Sequence, residues 1–251
     1  MKMAIVTGAT RGLGEAIASG LVEKGVGLIN ISRRDNENLK AMATDAGVTY
    51  SFHPCDLTSA TDTEQVFREV GASVFSSGAD TIYVIQNAGL VTPINPSGQV
   101  DAGSLEASVH VNLLAPMIVL NEMISASAGK SGQMLIVNVS SGAGSRPVYG
   151  WSTYCSTKAG LNMLTETVSL ELSTSGHDHK VISFSPGVMD TDMQGEIRSS
   201  SQEAFVEVEK FKRYKEEGTL RSAKTVADAL VNLITETEVE SGNLYHINDL
   251  V

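Results

Sequence analysis

Residues 7–14 read TGATRGLG, directly after the apolar run MAIVT and directly before EAIASGLVEKG, whose apolar positions recur at helical spacing. A strand that ends in three closely spaced glycines and runs straight into a helix leaves little freedom of fold. Gly8, Gly12 and Gly14 let the backbone turn tightly and come close to a pyrophosphate, an anion that a helix N-terminus attracts. Thr10, Arg11 and Leu13 complete the turn. Its spacing, G-x-x-x-G-x-G, is one residue wider than the common dinucleotide fingerprint. The turn predicts a dinucleotide site at the carboxyl end of the first strand.

The next apolar run closes with INISRRDN, residues 29–36. At this point an NAD site usually presents an Asp or Glu to the ribose 2′-hydroxyl. This chain presents Ser32, Arg33 and Arg34. A carboxylate repels a 2′-phosphate, whereas a guanidinium grips it through paired charge-assisted hydrogen bonds. With Arg11 able to approach the same group, the expected cofactor is NADPH/NADP+.

Beyond these two runs come VTYSFH, TIYVIQ, MLIVNVS, KVISFS and NLYHI, separated by helix-like segments that start near Glu37, Thr61, Leu105, Ala115, Tyr154 and Thr225. β-rich runs alternating with helical ones indicate βαβ units, hence a doubly wound α/β fold with a mostly parallel sheet covered on both faces. A chain of 251 residues, 42% hydrophobic, suits one domain spanning residues 1–251. The rhythm breaks once, at the charge-rich stretch of residues 190–221, read as a solvated helical hairpin or a substrate lid past a strand's carboxyl end.

Composition excludes several classes. A formal net charge of −11 argues against a nucleic-acid partner, which would need Lys and Arg on its phosphates. Two cysteines, Cys55 and Cys155, in separate segments suggest neither a disulfide framework nor a metal site. No uninterrupted apolar run approaches the roughly 20 residues that span a bilayer, and no signal-peptide pattern precedes the first strand. A cytoplasmic protein with no membrane partner is expected.

In YGWSTYCSTKAG, residues 149–160, Tyr154 and Lys158 stand four apart. On a helix such a pair shares one face, either as neighbours in solvent or as two groups acting on one bound molecule. A phenol with a pKa near 10 exchanges its proton poorly at neutral pH. A cation at about 5 Å, with an effective dielectric of about 20, stabilises the phenolate by roughly 3 kcal/mol, about two pKa units.

With the glycine turn and this pair on one chain, the sequence resembles the short-chain dehydrogenase/reductase family over nearly its whole length. TGATRGLG looks like the family's glycine motif, CDL (Asp56, Leu57) like its adenine-contact segment and QNAG (Asn87, Ala88, Gly89) like its fourth-strand motif. VNVSS looks like its catalytic-serine strand, YCSTK like its Tyr-x-x-x-Lys signature and SPGVMDT like its nicotinamide loop. The resemblance implies a Rossmann-type sheet of about seven strands in the order 3-2-1-4-5-6-7. It also implies Tyr154 as general acid and Lys158 as its activating cation and ribose ligand. Ser141 would donate to the substrate carbonyl, and Asn112 would hold a proton-relay water. Ser141, thirteen residues before Tyr154, fits the serine role better than Ser140, which should face the other side of the strand. Pro186, Gly187, Val188 and Thr191 would seat the carboxamide end of the cofactor. A homodimer, or a tetramer, is the expected assembly.

Two further stretches resemble the sepiapterin reductase-like branch of the family: GWSTYCSTKAGLNML, and PGVMDTDMQ with the segments that follow it. The branch's pterin-anchoring aspartate aligns with His246, a neutral imidazole that matches a guanidine-like edge less well. That departure favours the benzil reductase, (S)-benzoin-forming type, which reduces one carbonyl of an aromatic 1,2-diketone; a pterin-type diketone is the alternative. Leu90, Val91, Tyr149, Trp151, Met189 and Met193, with Phe205 or Tyr214 from the insertion, would wall an apolar pocket, with Trp151, Met189 and Met193 nearest the substrate. A function of another class stays open, a non-catalytic NADPH-binding regulatory module on the same fold.

Overall fold

The computed structural model describes all 251 residues. Seven strands, β1 (Lys2–Thr7), β2 (Gly27–Ser32), β3 (Tyr50–Pro54), β4 (Thr81–Gln86), β5 (Gln133–Val139), β6 (Lys180–Ser185) and β7 (Leu244–His246), form one sheet in the order β3-β2-β1-β4-β5-β6-β7. Every pairing is parallel. The helices are α1 (Gly12–Glu23), α2 (Glu37–Asp45), α3 (Ala60–Ser76), α4 (Ala102–Val109), α5 (Ala115–Ser127), α6 (Ser152–Thr174), α7 (Asp192–Arg198), α8 (Val208–Glu216) and α9 (Ala223–Glu236).

Successive strand residues point to opposite faces, so each central strand feeds two cores. Ala4 and Val6 of β1, with Tyr83 and Ile85 of β4, pack with Ile17 and Leu21 of α1 and with Val226 and Leu230 of α9. Met3, Ile5, Ile82 and Val84 pack on the other face with Phe67 and Val70 of α3 and Leu120 and Met123 of α5. At Gly71 of α3 an added Cβ would lie 2.8 Å from the Cβ of Ala126, so the bare glycine backbone makes room for the Ala126 methyl of α5.

Helix starts follow local chemistry. Side chains of Asn36, Ser59, Asp101 and Ser222 accept N–H bonds at the first turns of α2, α3, α4 and α9. No side chain caps α1 behind the glycine turn. Its first N–H groups have no side-chain acceptor.

Two expectations are revised. Residues 102–127 form continuous helix long and apolar enough to cross a membrane by length and composition; half of its most apolar window is buried in the fold, in keeping with a core helix. The segment of residues 190–221 is not a solvated hairpin. It folds as α7 and α8, and Ile197, Phe205, Val208 and Phe211 are buried against Val91, Val148 and Trp151.

The order reverses at β1, which lies between β2 and β4. The crevice past the strand ends at such a switch point is where open α/β sheets bind ligands. Gly14 shows how tightly it is built: a Cβ there would sit 2.3 Å from the Gly8 carbonyl oxygen and 2.4 Å from Asn87 Nδ2. Gly14→Ala is expected to lower the unfolding free energy by more than about 2 kcal/mol. Urea denaturation checks it, and an unchanged midpoint would contradict the packing described.

Candidate active site

Gly8 and Gly12 adopt φ of +70° and +62°, a region open to glycine but strained for other residues. The turn they make is stitched to its neighbours. Thr7 Oγ1 accepts the N–H groups of Asn87 (3.0 Å) and Ala88 (3.1 Å), and Asn87 Nδ2 donates to the carbonyls of Thr7 (3.1 Å) and Gly8 (3.3 Å). Asn87 thus braces the glycine turn from β4. Leu13 anchors the turn in the core, while Thr10 stays half-exposed.

At the end of β2 the structure separates residues that the sequence groups together. Arg33 and Arg34 are exposed. Ser32 is buried: its Oγ accepts the Ala9 N–H at 3.1 Å and donates to Asn30 Oδ1 at 2.7 Å, so it supports the turn from beneath. Asp56 is exposed, with its carboxyl held below the usual range by hydrogen bonds from Thr58 and, to a smaller degree, by Arg33. Leu57 packs on the α3 side of the core. Arg11 reaches across the crevice to Asp192 at 2.7 Å, an ion pair about two-thirds exposed on both sides. Thr191 Cγ2 lies 3.7 Å from where a Cβ of Gly12 would sit, so the loop after β6 faces the glycine turn directly. In that loop Pro186 is buried, Gly187 takes φ +69° and is exposed, and Val188 is half-buried.

The candidate catalytic groups gather where β4, β5 and α6 meet. Tyr154 and Lys158, one turn apart near the start of α6, are 7% and 4% exposed. Lys158 Nζ donates to the Val139 carbonyl at 2.7 Å and stands 5.8 Å from the Tyr154 ring centroid. Ser140 and Ser141 divide as strand alternation requires: Ser140 Oγ donates to Asn162 Oδ1 at 2.6 Å. Ser141 heads the short helical turn Gly142–Gly144, accepts the Ala143 N–H at 3.2 Å and lies close enough to the Tyr154 phenol to act on its acidity.

Asn112 lies in a π-helical turn, His110–Leu114, between α4 and α5. Such turns are rare and gather at functional sites. Its Oδ1 accepts the Leu90 N–H (2.8 Å) and its Nδ2 donates to the Leu90 carbonyl (2.7 Å). The fit beneath it is close: a Cβ on Gly89 would lie 3.3 Å from Asn112 Oδ1 and 3.7 Å from Lys158 Nζ. Asn112 therefore clamps the β4 loop beside the lysine.

The electrostatics differ from the simple phenol–ammonium expectation. Burial pushes the Tyr154 phenol above its ordinary value, with the Ser141 hydroxyl pulling back part of the way. Burial likewise brings the Lys158 ammonium down, to about 8. Lys158 aims at Val139 instead of the phenolic oxygen, so loss of solvent outweighs the attraction. Tyr154 is consequently held as a protonated donor, with a lysine beside it that gives up its proton far more readily than an ordinary one.

The expected pocket walls fall into three groups. Trp151, Val91 and Phe205 are buried with Tyr154 in one cluster, against which Val188 and Met193 pack. The Trp151 ring stacks on Phe205 at 4.8 Å and meets Tyr154 edge-on at 5.3 Å. Met189 packs instead against the core beneath α1 and α9. Tyr149 is exposed, Leu90 is half-buried and Tyr214 touches the cluster only through Phe211. Trp151 is the keystone between α6 and the insertion. Trp151→Ala is expected to destabilise the protein by about 3 kcal/mol, measured by urea unfolding; a loss under about 1 kcal/mol would show that the insertion docks without it.

Sequence reading missed Thr7, Asn30, Asp35, Asn36 and Tyr50, which shape the glycine turn and the β2 end. The one visible signal was Asn36, a capping residue just before a helical segment.

A model described as short chain dehydrogenase matches residues 2–202. The benzil reductases ((S)-benzoin forming) of Bacillus cereus and Bacillus subtilis (strain 168) are each 38% identical, covering 99% and 100% of this chain and 100% of their own lengths. Sepiapterin reductase of Bos taurus is 26% identical, over 96% of this chain and 92% of its own. A metagenomic short-chain oxidoreductase solved in complex with NADP superposes with a TM-score of 0.71 at 26% identity, over 98% of this chain and 96% of that one. Sheet order, crevice and sequence agree: the chain belongs to the short-chain dehydrogenase family of oxidoreductases.

Proposed function

We propose that this protein is an NADPH-dependent carbonyl reductase that reduces one carbonyl of an aromatic 1,2-diketone, as from benzil to (S)-benzoin. The observation that carries the reaction type is the buried Tyr154–Lys158 pair with half-buried Ser141 at the carboxyl edge of the sheet, beside a helix N-terminus that no side chain caps. The open first turn of α1 and the positive-φ glycines fit a pyrophosphate. Arg33 and Arg34, exposed just past β2 where Ser32 stands in place of a ribose-binding acid, support the 2′-phosphate. The full-length likeness to two benzil reductases supports the diketone.

When bound, the cofactor supplies a hydride to the carbonyl carbon. The chain's own residues deal with the charge that gathers on the oxygen. Tyr154, protonated throughout the neutral range, donates its proton to that oxygen, and Ser141 donates a hydrogen bond to it. Lys158, with a pKa near 8, is well matched to return a proton to the tyrosine. Asn112 fixes the Leu90 loop that borders the lysine. The α7–α8 insertion, docked through Phe205 on Trp151, serves as the lid that keeps water from these groups.

Leu105, Val109, Met117, Met163 and Leu170 are exposed on α4, α5 and α6, apolar surface that suits a homodimer. Cys55 and Cys155 are free thiols, in keeping with a reducing cytoplasm. Chiral analysis of the product tests the reading. Conversion of benzil with NADPH to benzoin of one hand supports it; reduction of sepiapterin with benzil untouched would move the assignment to the pterin branch.

A further inference from the structure

The β2 end lacks an acid at the ribose position, yet Asp35 follows Arg34 immediately. Its Oδ1 is the hub of a hydrogen-bond network. Tyr50, the first residue of β3, donates its phenolic O–H to Asp35 Oδ1; the Asn36 N–H donates to the same oxygen at 2.8 Å and Asn30 Nδ2 reaches it at 3.5 Å. Asn30 Nδ2 also donates to the Tyr50 oxygen at 3.2 Å. The chain of bonds continues from Asn30 Oδ1 to the Ser32 hydroxyl and from there to the Ala9 N–H of the glycine turn. The other carboxylate of this corner, Glu15 in the first turn of α1, is held by Asn36 Nδ2 at 2.9 Å. Asp35 and Glu15 are thus tied down by residues of the β2–α2 junction and β3, while Asp56 beyond β3, the acid whose charge couples to Arg33, is held by Thr58.

We propose that Tyr50 is a positioning residue for cofactor choice: by holding the Asp35 carboxylate beneath the junction, it keeps a negative charge off the surface where Arg33 and Arg34 meet the 2′-phosphate. The inference rests on the NADPH reading above. A freed carboxylate would pair with the arginines next to it in sequence, repel the phosphate and offer acceptors to a plain ribose. Burial and Asp35 together push the Tyr50 phenol up to about 12, so it remains a donor at every working pH.

The test is calorimetric titration of NADPH and NADH into the full-length wild type, Tyr50→Phe, Asp35→Asn and the double variant. Tyr50→Phe should weaken NADPH about tenfold, equivalent to about 1.4 kcal/mol, and leave NADH within about twofold. In the Asp35→Asn background the same change should leave the NADPH to NADH ratio unaltered, because the released side chain carries no charge. Equal weakening of both cofactors, an unchanged ratio in the single variant, or a selective NADPH loss that persists in the double variant would each overturn the proposal. A wild type with no NADPH preference would remove the NADPH reading and this proposal with it. A clear wild-type preference that Tyr50→Phe leaves intact removes only the proposal.

Discussion

Tyr154→Phe should lower turnover of benzil by a factor of about 10³ or more while leaving the NADPH dissociation constant within about threefold. The substitution removes one hydroxyl and keeps the ring, so the edge-on contact with Trp151 and the cluster around Val91 and Phe205 survive. What disappears is the proton donor for the developing alkoxide and a hydrogen bond that strengthens as charge builds, two effects that act only on the transition state. The signature is therefore a fall in kcat and in kcat/KM together, with binding retained. Thermal shift with NADPH, read beside steady-state kinetics, checks both halves. A variant with near-normal kcat would take the acid role from Tyr154.

Lys158→Met should inactivate the enzyme and at the same time make the ligand-free protein more stable at pH 7, by about 2 kcal/mol. Burial brings Lys158 from an ordinary value of 10.5 down to about 8, a disadvantage for folding of about 3 kcal/mol while the ammonium is protonated. Methionine has a similar length and no charge to desolvate. Against that gain, the Val139 carbonyl loses its 2.7 Å donor, a loss of about 1 kcal/mol. Linkage gives the pH dependence its sign. Between about pH 8 and pH 10.5 the unfolded chain holds the Lys158 proton and the folded one does not, so this residue makes wild-type stability rise with pH across that window. The Met variant lacks the rise, so its advantage should fall to zero near pH 10 and turn into a deficit of about 1 kcal/mol above pH 10.5, where only the lost Val139 hydrogen bond remains. Urea unfolding at pH 7 and pH 10 measures it. A Met variant less stable than wild type at pH 7 would mean that the lysine is solvated or paired in the folded state.

Much of the architecture could be read from the chain because the burial pattern is periodic. Each of the seven apolar runs became a strand, and Gly8 and Gly12 lie in the positive-φ turn that the first run requires. The site was legible to the extent that it depends on spacing: Tyr154 and Lys158 share a face since 3.6 residues make a turn, and Ser140 and Ser141 part because a strand alternates. What depends on burial across the fold was not legible. The charged letters of the insertion outnumber its apolar ones, so Val208 and Phe211 read as surface and Phe205 only as a pocket wall, although their three-residue spacing forms the face that docks on Trp151. The direction of the Tyr154 shift could not be had from two letters four apart, since it follows from the solvent excluded by α6, the Ser141 turn and the insertion together. Ser32 and Asp35 stand beside arginines in sequence, yet Asn30 and Tyr50 draw them into a separate network. The pairing of β2 with β3 makes those contacts, at a distance in sequence that no local pattern reports.

The most direct measurement is absorbance at 340 nm on the purified protein with NADPH and benzil, alongside a thermal shift with NADPH alone. The account predicts steady loss of absorbance with benzil, none with Tyr154→Phe, and a raised melting temperature with NADPH for both proteins. A melting shift without NADPH consumption across a panel of ketones and diketones would contradict it, and would leave a dinucleotide-binding module in place of a reductase.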